Sequence, residues 1–288
     1  MSYLIGVDGG GTGCRVILAD MSGHVVGSAK GGAANIATNL AKARANILAA
    51  IDLAFDNAGI NRAEIANSSA VLGLAGSNFG SYAADLRVNL PLKNNHIVND
   101  SRITLEGAIG AVDGCIAAIG TGSVFAARDA EGVRMLGGWG FLLGDDGSGA
   151  ALGRDMLKLT ILAADGMRPH SELTRETLDQ FGGRIEAIVE TAGTYTPRDF
   201  GQFAPRIVAA AAAGDEHGVA LMAHHSALVR DSIDAVGFNP DKPFCILGGL
   251  GPIYLKTLPE KYQNAVHPPK GNALSGALAM AKRRFGDA

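Results

Sequence analysis

The first loop of this chain limits its fold more than any other feature. Tyr3-Leu4-Ile5-Gly6-Val7 is an apolar run of strand length that passes directly into Asp8-Gly9-Gly10-Gly11-Thr12. Cys14-Arg15-Val16-Ile17-Leu18-Ala19-Asp20 then resumes as a second strand. A glycine-rich hairpin can aim backbone N–H groups at phosphate oxygens, because no Cβ stands in the way. Two other phosphate loops are excluded by context. A Rossmann fingerprint runs into a helix, whereas a strand follows here. A Walker A loop needs Gly-Lys-Ser/Thr, and the sequence has no such tripeptide. Gly9, Gly10 and Gly11 therefore read as amide donors and Thr12 as a hydroxyl donor. Asp8 is placed to hold a Mg²⁺ ion through water. The plain alternative is a glycine hairpin with no ligand.

The pattern continues as an antiparallel meander, with a third strand over 25–30 joined by a connection too short for a helix. Residues 39–58 carry apolar side chains at helical spacing (Leu40, Ala43, Ile47, Ala50, Ile51, Ala54, Phe55), with Gly59 at the position after the C-cap. A buried strand over 69–76, a helix over 82–90 and a strand over 96–99 ending at Asp100 follow. Gly114-Cys115-Ile116-Ala117-Ala118-Ile119 then enters Gly120-Thr121-Gly122-Ser123 and a strand resumes over 124–128, which echoes the opening and predicts two related halves facing one cleft. Residues 149–235 read as mostly helical. A late strand, Phe244-Cys245-Ile246-Leu247, ends in Gly248-Gly249-Leu250-Gly251, and a last helix spans 273–285.

Several residues carry candidate chemistry. Gly120, Thr121, Gly122 and Ser123 make a second phosphate clamp, because a triphosphate needs donors on more than one side. Gly248 and Gly249 would let backbone approach a flat ring such as adenine. Asp100 lies at a strand's C-terminal end, where ligand sites gather in open sheets. It reads as the carboxylate that accepts a hydroxyl proton, with a helix N-cap as the plain alternative. The segment from Gly137-Gly138-Trp139-Gly140 to Gly144-Asp145-Asp146-Gly147-Ser148 holds the one tryptophan of the sequence and two adjacent acids among glycines. An aromatic face with carboxylates suits a sugar; the alternative is a buried tryptophan beside a turn.

Composition bounds the rest. At 288 residues, 47% hydrophobic and 18% charged, the chain suits a globular protein of two domains. A net charge of −3 gives no electrostatic footprint for nucleic acid and no attraction to an anionic membrane. Cys14, Cys115 and Cys245 form no CxxC or zinc spacing. With no signal-peptide pattern and no apolar run of membrane-spanning length, a cytoplasmic protein is expected.

Asp8–Thr12, Ala33-Ala34-Asn35-Ile36, Asp100, Gly120–Ser123 and the Trp139 and Asp145 segments occur here in an order that resembles the N-acetylglucosamine and glucosamine kinases. Those enzymes form part of the BadF/BadG/BcrA/BcrD ATPase family, within the sugar kinase–Hsp70–actin superfamily. The resemblance covers almost the whole chain. Asp165-Gly166-Met167-Arg168-Pro169-His170 and Arg198-Asp199-Phe200-Gly201-Gln202-Phe203-Ala204-Pro205 are similar to bacterial glucosamine kinases. The Trp139 segment is closer to the N-acetylglucosamine kinases, so the acyl group stays open. The resemblance implies an α/β fold of two ribonuclease-H-like (actin-like ATPase) domains with a central cleft. It divides the chain into 1–108 and 109–271, with a terminal helix over 272–288 packed on the first domain. It further implies ATP and Mg²⁺ as cofactors, an amino sugar as partner, and no nucleic acid or membrane, and it admits a homodimer. By motif, Asp100 would be the general base, acting on the sugar 6-hydroxyl. Asn35, Trp139, Gly140 and Asp145 would contact the sugar, Gly11, Thr12, Thr121 and Gly122 the phosphates, and Gly248 and Gly249 the adenosine. Two rivals share these loops: a BadF-type activator ATPase, which needs cysteines for an iron–sulfur cluster, and a non-catalytic sugar-sensing protein.

Overall fold

The computed structural model describes residues 1–286. Two compact units make up the chain: Met1–Asp113 with Pro268–Ala288, and Gly114–His267. The junctions expected from sequence, 108/109 and 271/272, fall in the last turn of one helix and just before the N-cap of another.

The first unit runs β1 (Leu4–Gly9), β2 (Cys14–Ala19), β3 (Val25–Gly31), α1 (Leu40–Asn57), β4 (Ser69–Leu74), α2 (Tyr82–Val88), β5 (Asn94–Val98) and α3 (Asp100–Ile109). Its five-stranded sheet has the order β3-β2-β1-β4-β5. β1–β2 and β2–β3 are antiparallel, whereas β1–β4 and β4–β5 are parallel. This is the ribonuclease-H-like arrangement: a meander whose first strand continues into parallel crossovers. Central strands are buried on both faces, so β4 carries no polar side chain except Ser69 and is buried throughout. Along β1 the side chains alternate. Ile5 and Val7 pack with Ile47, Ile51 and Phe55 of α1. Leu4, on the other face, packs with Val71, Ile103 and Ala277.

The second unit runs β6 (Gly114–Ile119), β7 (Ser123–Asp129), β8 (Gly132–Gly137), α4 (Gly149–Ala164), α5 (Glu172–Gln180), α6 (Ile185–Ala192), α7 (Pro197–Gly201), α8 (Ala204–Ala212), α9 (Glu216–Val236), β9 (Phe244–Leu247), α10 (Gly251–Leu255) and α11 (Glu260–Ala265). Its sheet, β8-β7-β6-β9, repeats the meander and adds one parallel strand. Phe125, Met156, Ile207, Val229, Phe244 and Tyr262 anchor its core. β8 has no counterpart in the sequence reading. As an edge strand with no buried residue, it shows no apolar alternation.

The chain then returns to the first unit as α12 (Ala273–Phe285). This helix lies so close to β1 that a Cβ on Gly6 would stand 2.9 Å from the Leu278 nitrogen. It crosses α3 through glycines: a Cβ on Gly107 would be 2.0 Å from the Asn272 carbonyl oxygen, and one on Gly276 2.0 Å from that of Ile103. Arg283 closes the contact by donating to the buried Glu106 at 2.6 Å. Among the described residues no helix is long and apolar enough to cross a membrane.

Candidate active site

In the first unit, β1 and β2 deliver the glycine loop as a hairpin, with the Gly10 N–H donating to the Gly13 carbonyl at 2.9 Å. The segment carrying Asn35 is stitched to the same loop. Ala34 N–H donates to the Gly10 carbonyl at 2.8 Å, and Ile36 N–H to that of Ala75 at 3.1 Å. The Asn35 carboxamide oxygen accepts from the Ala37 and Thr38 amides at 3.0 and 3.2 Å, which leaves its NH₂ group to project as a donor.

The glycines separate by what the fold demands of them. Gly9 is fixed by packing, since a Cβ there would be 2.6 Å from Leu74 Cδ2 and 2.9 Å from Ala34 Cβ. At Gly10 and Gly11 a Cβ would meet nothing within 4 Å, and neither φ lies in the left-handed region. Nothing in the protein itself requires glycine at these two positions, so the space beside them fits a ligand that approaches the backbone.

Asp100 is the first residue of α3, and the cap is its neighbour. Asn99 accepts from the Ser101 N–H at 2.9 Å and from the Ser101 hydroxyl at 2.6 Å. Freed from sole duty as a cap, the Asp100 carboxylate takes a shared bond from the Ser101 N–H at 2.9 Å. Burial pushes its pKa above the usual carboxylate value, and the nearby Asp8 charge adds to the rise, against the Ser101 hydrogen bond. Asp8 stands in register with Arg15 across the hairpin, and one of its oxygens accepts from the Arg15 Nε at 3.1 Å and from Nη2. Arg15 is a residue that sequence reasoning missed, although hairpin register would have paired it with Asp8. No group of three His, Cys, Asp or Glu residues that could hold a metal occurs among the described residues. The donor set therefore fits only an ion held largely by phosphate oxygens and water, with Asp8 as the protein's contribution.

In the second unit, the echo loop is locked to the start of α4. Gly149 and Ala150 amides donate to the Gly120 and Thr121 carbonyls at 2.8 and 3.1 Å. The Gly120 N–H donates to the Gly122 carbonyl at 2.9 Å, and the Ser123 hydroxyl donates to the Asp146 carbonyl at 2.7 Å. Gly248, at φ 83°, is compelled, because a Cβ would be 2.2 Å from the Ile119 carbonyl oxygen. Gly120 and Gly249 repeat the pattern of Gly10 and Gly11: open space, and no left-handed φ.

Asp145 joins this cluster. Its carboxylate lies where a Cβ on Gly122 would be 2.9 Å from Oδ2. Its own φ of 61° makes it the one positive-φ residue other than glycine among the described residues. Burial raises its pKa; amides of Ser123 and Gly140 oppose this, while Asp146 reinforces it. Trp139, 62% exposed, is no buried core residue. The structure thus gathers Asp8–Thr12, Asn35 and Asp100 in the first unit. In the second it gathers Gly120–Ser123, Gly140, Asp145, Gly248 and Gly249. Behind the Asp145 turn it adds a pair with no sequence signal, His225 Nε2 at 3.2 Å from Asp155 Oδ2.

Residues 5–273 match the model of the BadF/BadG/BcrA/BcrD ATPase family. The chain is 30% identical over 282 residues to the glucosamine kinase GspK of Vibrio cholerae serotype O1, covering 98% of this chain and 96% of that one. It is 27% identical over 300 residues to the N-acetyl-D-glucosamine kinase of Dictyostelium discoideum, covering 91% of each. A solved structure from Chromobacterium violaceum, described as an N-acetylglucosamine kinase, superposes with a TM-score of 0.88 at 35% identity, covering 97% of this chain and 98% of that one.

Proposed function

We propose that this chain, which belongs to the BadF/BadG/BcrA/BcrD ATPase family, is an ATP-dependent kinase that phosphorylates the 6-hydroxyl of glucosamine or N-acetylglucosamine. The observation that carries the reading is the set of glycines the fold does not require. Gly10, Gly11, Gly120 and Gly249 leave open space beside loops that end apolar strands, as nucleotide phosphates and an adenine ring need. The names of the amino-sugar kinases similar to this chain support the acceptor.

Asp100 accepts the proton of the 6-hydroxyl as its oxygen attacks the γ-phosphorus. The bond from that phosphorus to the bridging oxygen breaks, and ADP leaves. A raised pKa makes Asp100 a stronger base than an ordinary aspartate. Gly11 and Thr12, with Thr121 and Gly122, donate to phosphate oxygens, and Gly9, Gly10, Gly120 and Ser123 shape those loops. Gly248 and Gly249 face the adenosine. The Asn35 NH₂ and the Asp145 carboxylate fix sugar hydroxyls, and Trp139 with Gly140 covers the ring. A magnesium ion supplies charge neutralisation at the phosphates when bound, and Asp8 is the residue that would hold it. The reaction draws on ATP, which fits a cytoplasmic enzyme.

The test is ADP release over glucosamine, N-acetylglucosamine, glucose and N-acetylmannosamine. One of the two amino sugars is expected to support turnover well above the others. ATP hydrolysis indifferent to all four sugars would overturn the reading.

A further inference from the structure

The Arg198–Pro205 motif has no part in the chemistry above, yet it borders a polar hollow of about 260 Å³ in the second unit. Gln180, Tyr195, Asp199, Gln202, Phe203 and Arg206 line it. Arg206 is the unusual member. Its guanidinium lies 5.6 Å over the Phe203 ring and donates only to neutral oxygens, Thr177 Oγ1 at 2.8 Å and Gln180 Oε1 at 3.2 Å. Its Nε is buried without a hydrogen-bond partner. A guanidinium carries five N–H donors, so this one keeps most of its donor capacity unspent. No carboxylate among the described residues forms an ion pair with it, and Glu176 acts on it only through space. A half-buried cation without an anion is costly.

The rest of the hollow is suited to hydroxyl groups. Asp199 spends one oxygen on the Thr196 amide and hydroxyl, at 2.8 and 2.6 Å, and keeps the other. The Gln202 amide is exposed, the Gln180 NH₂ is a further donor, and Tyr195 and Phe203 supply aromatic surface. A larger hollow of about 410 Å³ beside α9 lacks this character, because its one charged side chain, Arg230, is already paired with Asp231.

We propose that the Arg206 hollow is a second ligand site, for a small phosphorylated sugar, with phosphate on Arg206 and Gln180 and hydroxyls on Asp199 and Gln202. The site has a path to the nucleotide loop. Gly201, beside Gln202, packs so that its Cβ would be 3.7 Å from the Thr121 methyl and 3.8 Å from the Ala150 nitrogen. Occupancy shifts α7 and, through it, the Gly120–Ser123 loop. The binding rests on this unit alone; its regulatory meaning rests on the kinase reading.

Equilibrium dialysis of the full chain with glucose 6-phosphate, inorganic phosphate and glucose tests the site. Saturable binding of glucose 6-phosphate is expected, about tenfold tighter than inorganic phosphate, with none of glucose. Arg206→Gln and the exposed Gln202→Ala should each weaken it, the first by roughly tenfold or more, the scale of losing a charge-assisted hydrogen bond. If Arg206→Gln gives no cooperative melt, Gln202→Ala decides. No saturable binding, or binding unchanged in the folded variants, overturns the site whether or not the protein is a kinase. Equal affinity for inorganic phosphate overturns the sugar contacts. Nucleotide affinity unmoved by saturating glucose 6-phosphate overturns the coupling.

Discussion

In the proposed mechanism Asp100 serves activity at the expense of the fold. Its carboxyl is held above the ordinary aspartate pKa, so between the unfolded and folded values the native state binds more protons than the unfolded one. Stability therefore falls as pH rises through that window. Asp100→Asn keeps the oxygen that accepts from the Ser101 N–H but carries no charge. It should lose turnover by at least ~100-fold, the scale of general-base removal. It should also melt higher than the parent at pH 7, with the two melting points converging below the usual aspartate range. A variant that melts lower at pH 7, or turns over normally, would contradict the role given to Asp100. The pH profile adds a second check, because turnover of the parent should rise through a value above that of free aspartate and then level off. Trp139 offers a separate readout as the one tryptophan in the sequence, 62% exposed. Binding of the amino sugar should shift its emission to the blue, and an unmoved spectrum at saturation would remove Trp139 from the sugar contacts.

At the scale of elements, α3 places Asp100 and α12 places α3. The two helices approach through Gly107 and Gly276, where an added Cβ would fall 2.0 Å from a facing carbonyl oxygen. Helix propensity alone would make alanine better than glycine at either site by about 1 kcal/mol. The close approach reverses the sign: overpacking of this kind costs about 1–3 kcal/mol, and backbone oxygens cannot swing aside. Gly107→Ala and Gly276→Ala should each lower stability by a net amount of up to ~2 kcal/mol in denaturant titration. Alanine that stabilises would show that the helices are not in contact there. Much of this element layer was legible in the sequence. The apolar run of β4 and the capped periodicity of α1 each carry a local signal, and residues 273–285 read as the helix that forms. β8 was silent because none of its own side chains is buried, so no apolar alternation marks it. The candidate site is readable in the sequence where glycines cluster after strands. It was illegible where partners come from register, as Arg15 does for Asp8, or from a neighbouring cap, as Asn99 does for Asp100.

For the whole molecule, the chain begins and ends in one unit and carries the other as a single insertion, Gly114–His267. That topology is hidden from local patterning, because α12 is distant in sequence from the sheet it covers. The insertion leaves and re-enters at neighbouring points, since the Lys270 N–H donates to the Ala108 carbonyl at 2.9 Å. A short flexible linker can therefore span the gap, and loop-closure entropy grows only slowly with its length. The first unit has its own core on both sheet faces, but one of them depends on Ala277 and Ala281 of α12. Residues 1–113 alone would expose Leu4, Val71 and Ile103, and a domain of that size has little stability to spare. Residues 1–113 joined to 268–286 by a glycine–serine linker should therefore melt cooperatively, whereas residues 1–113 alone should show no cooperative transition. Residues 114–267, with a complete sheet and a separate core, should melt cooperatively without either segment. A cooperative melt of residues 1–113 alone would show that α12 is an accessory, and the α3 contact would then have to be fixed by something other than the returning chain.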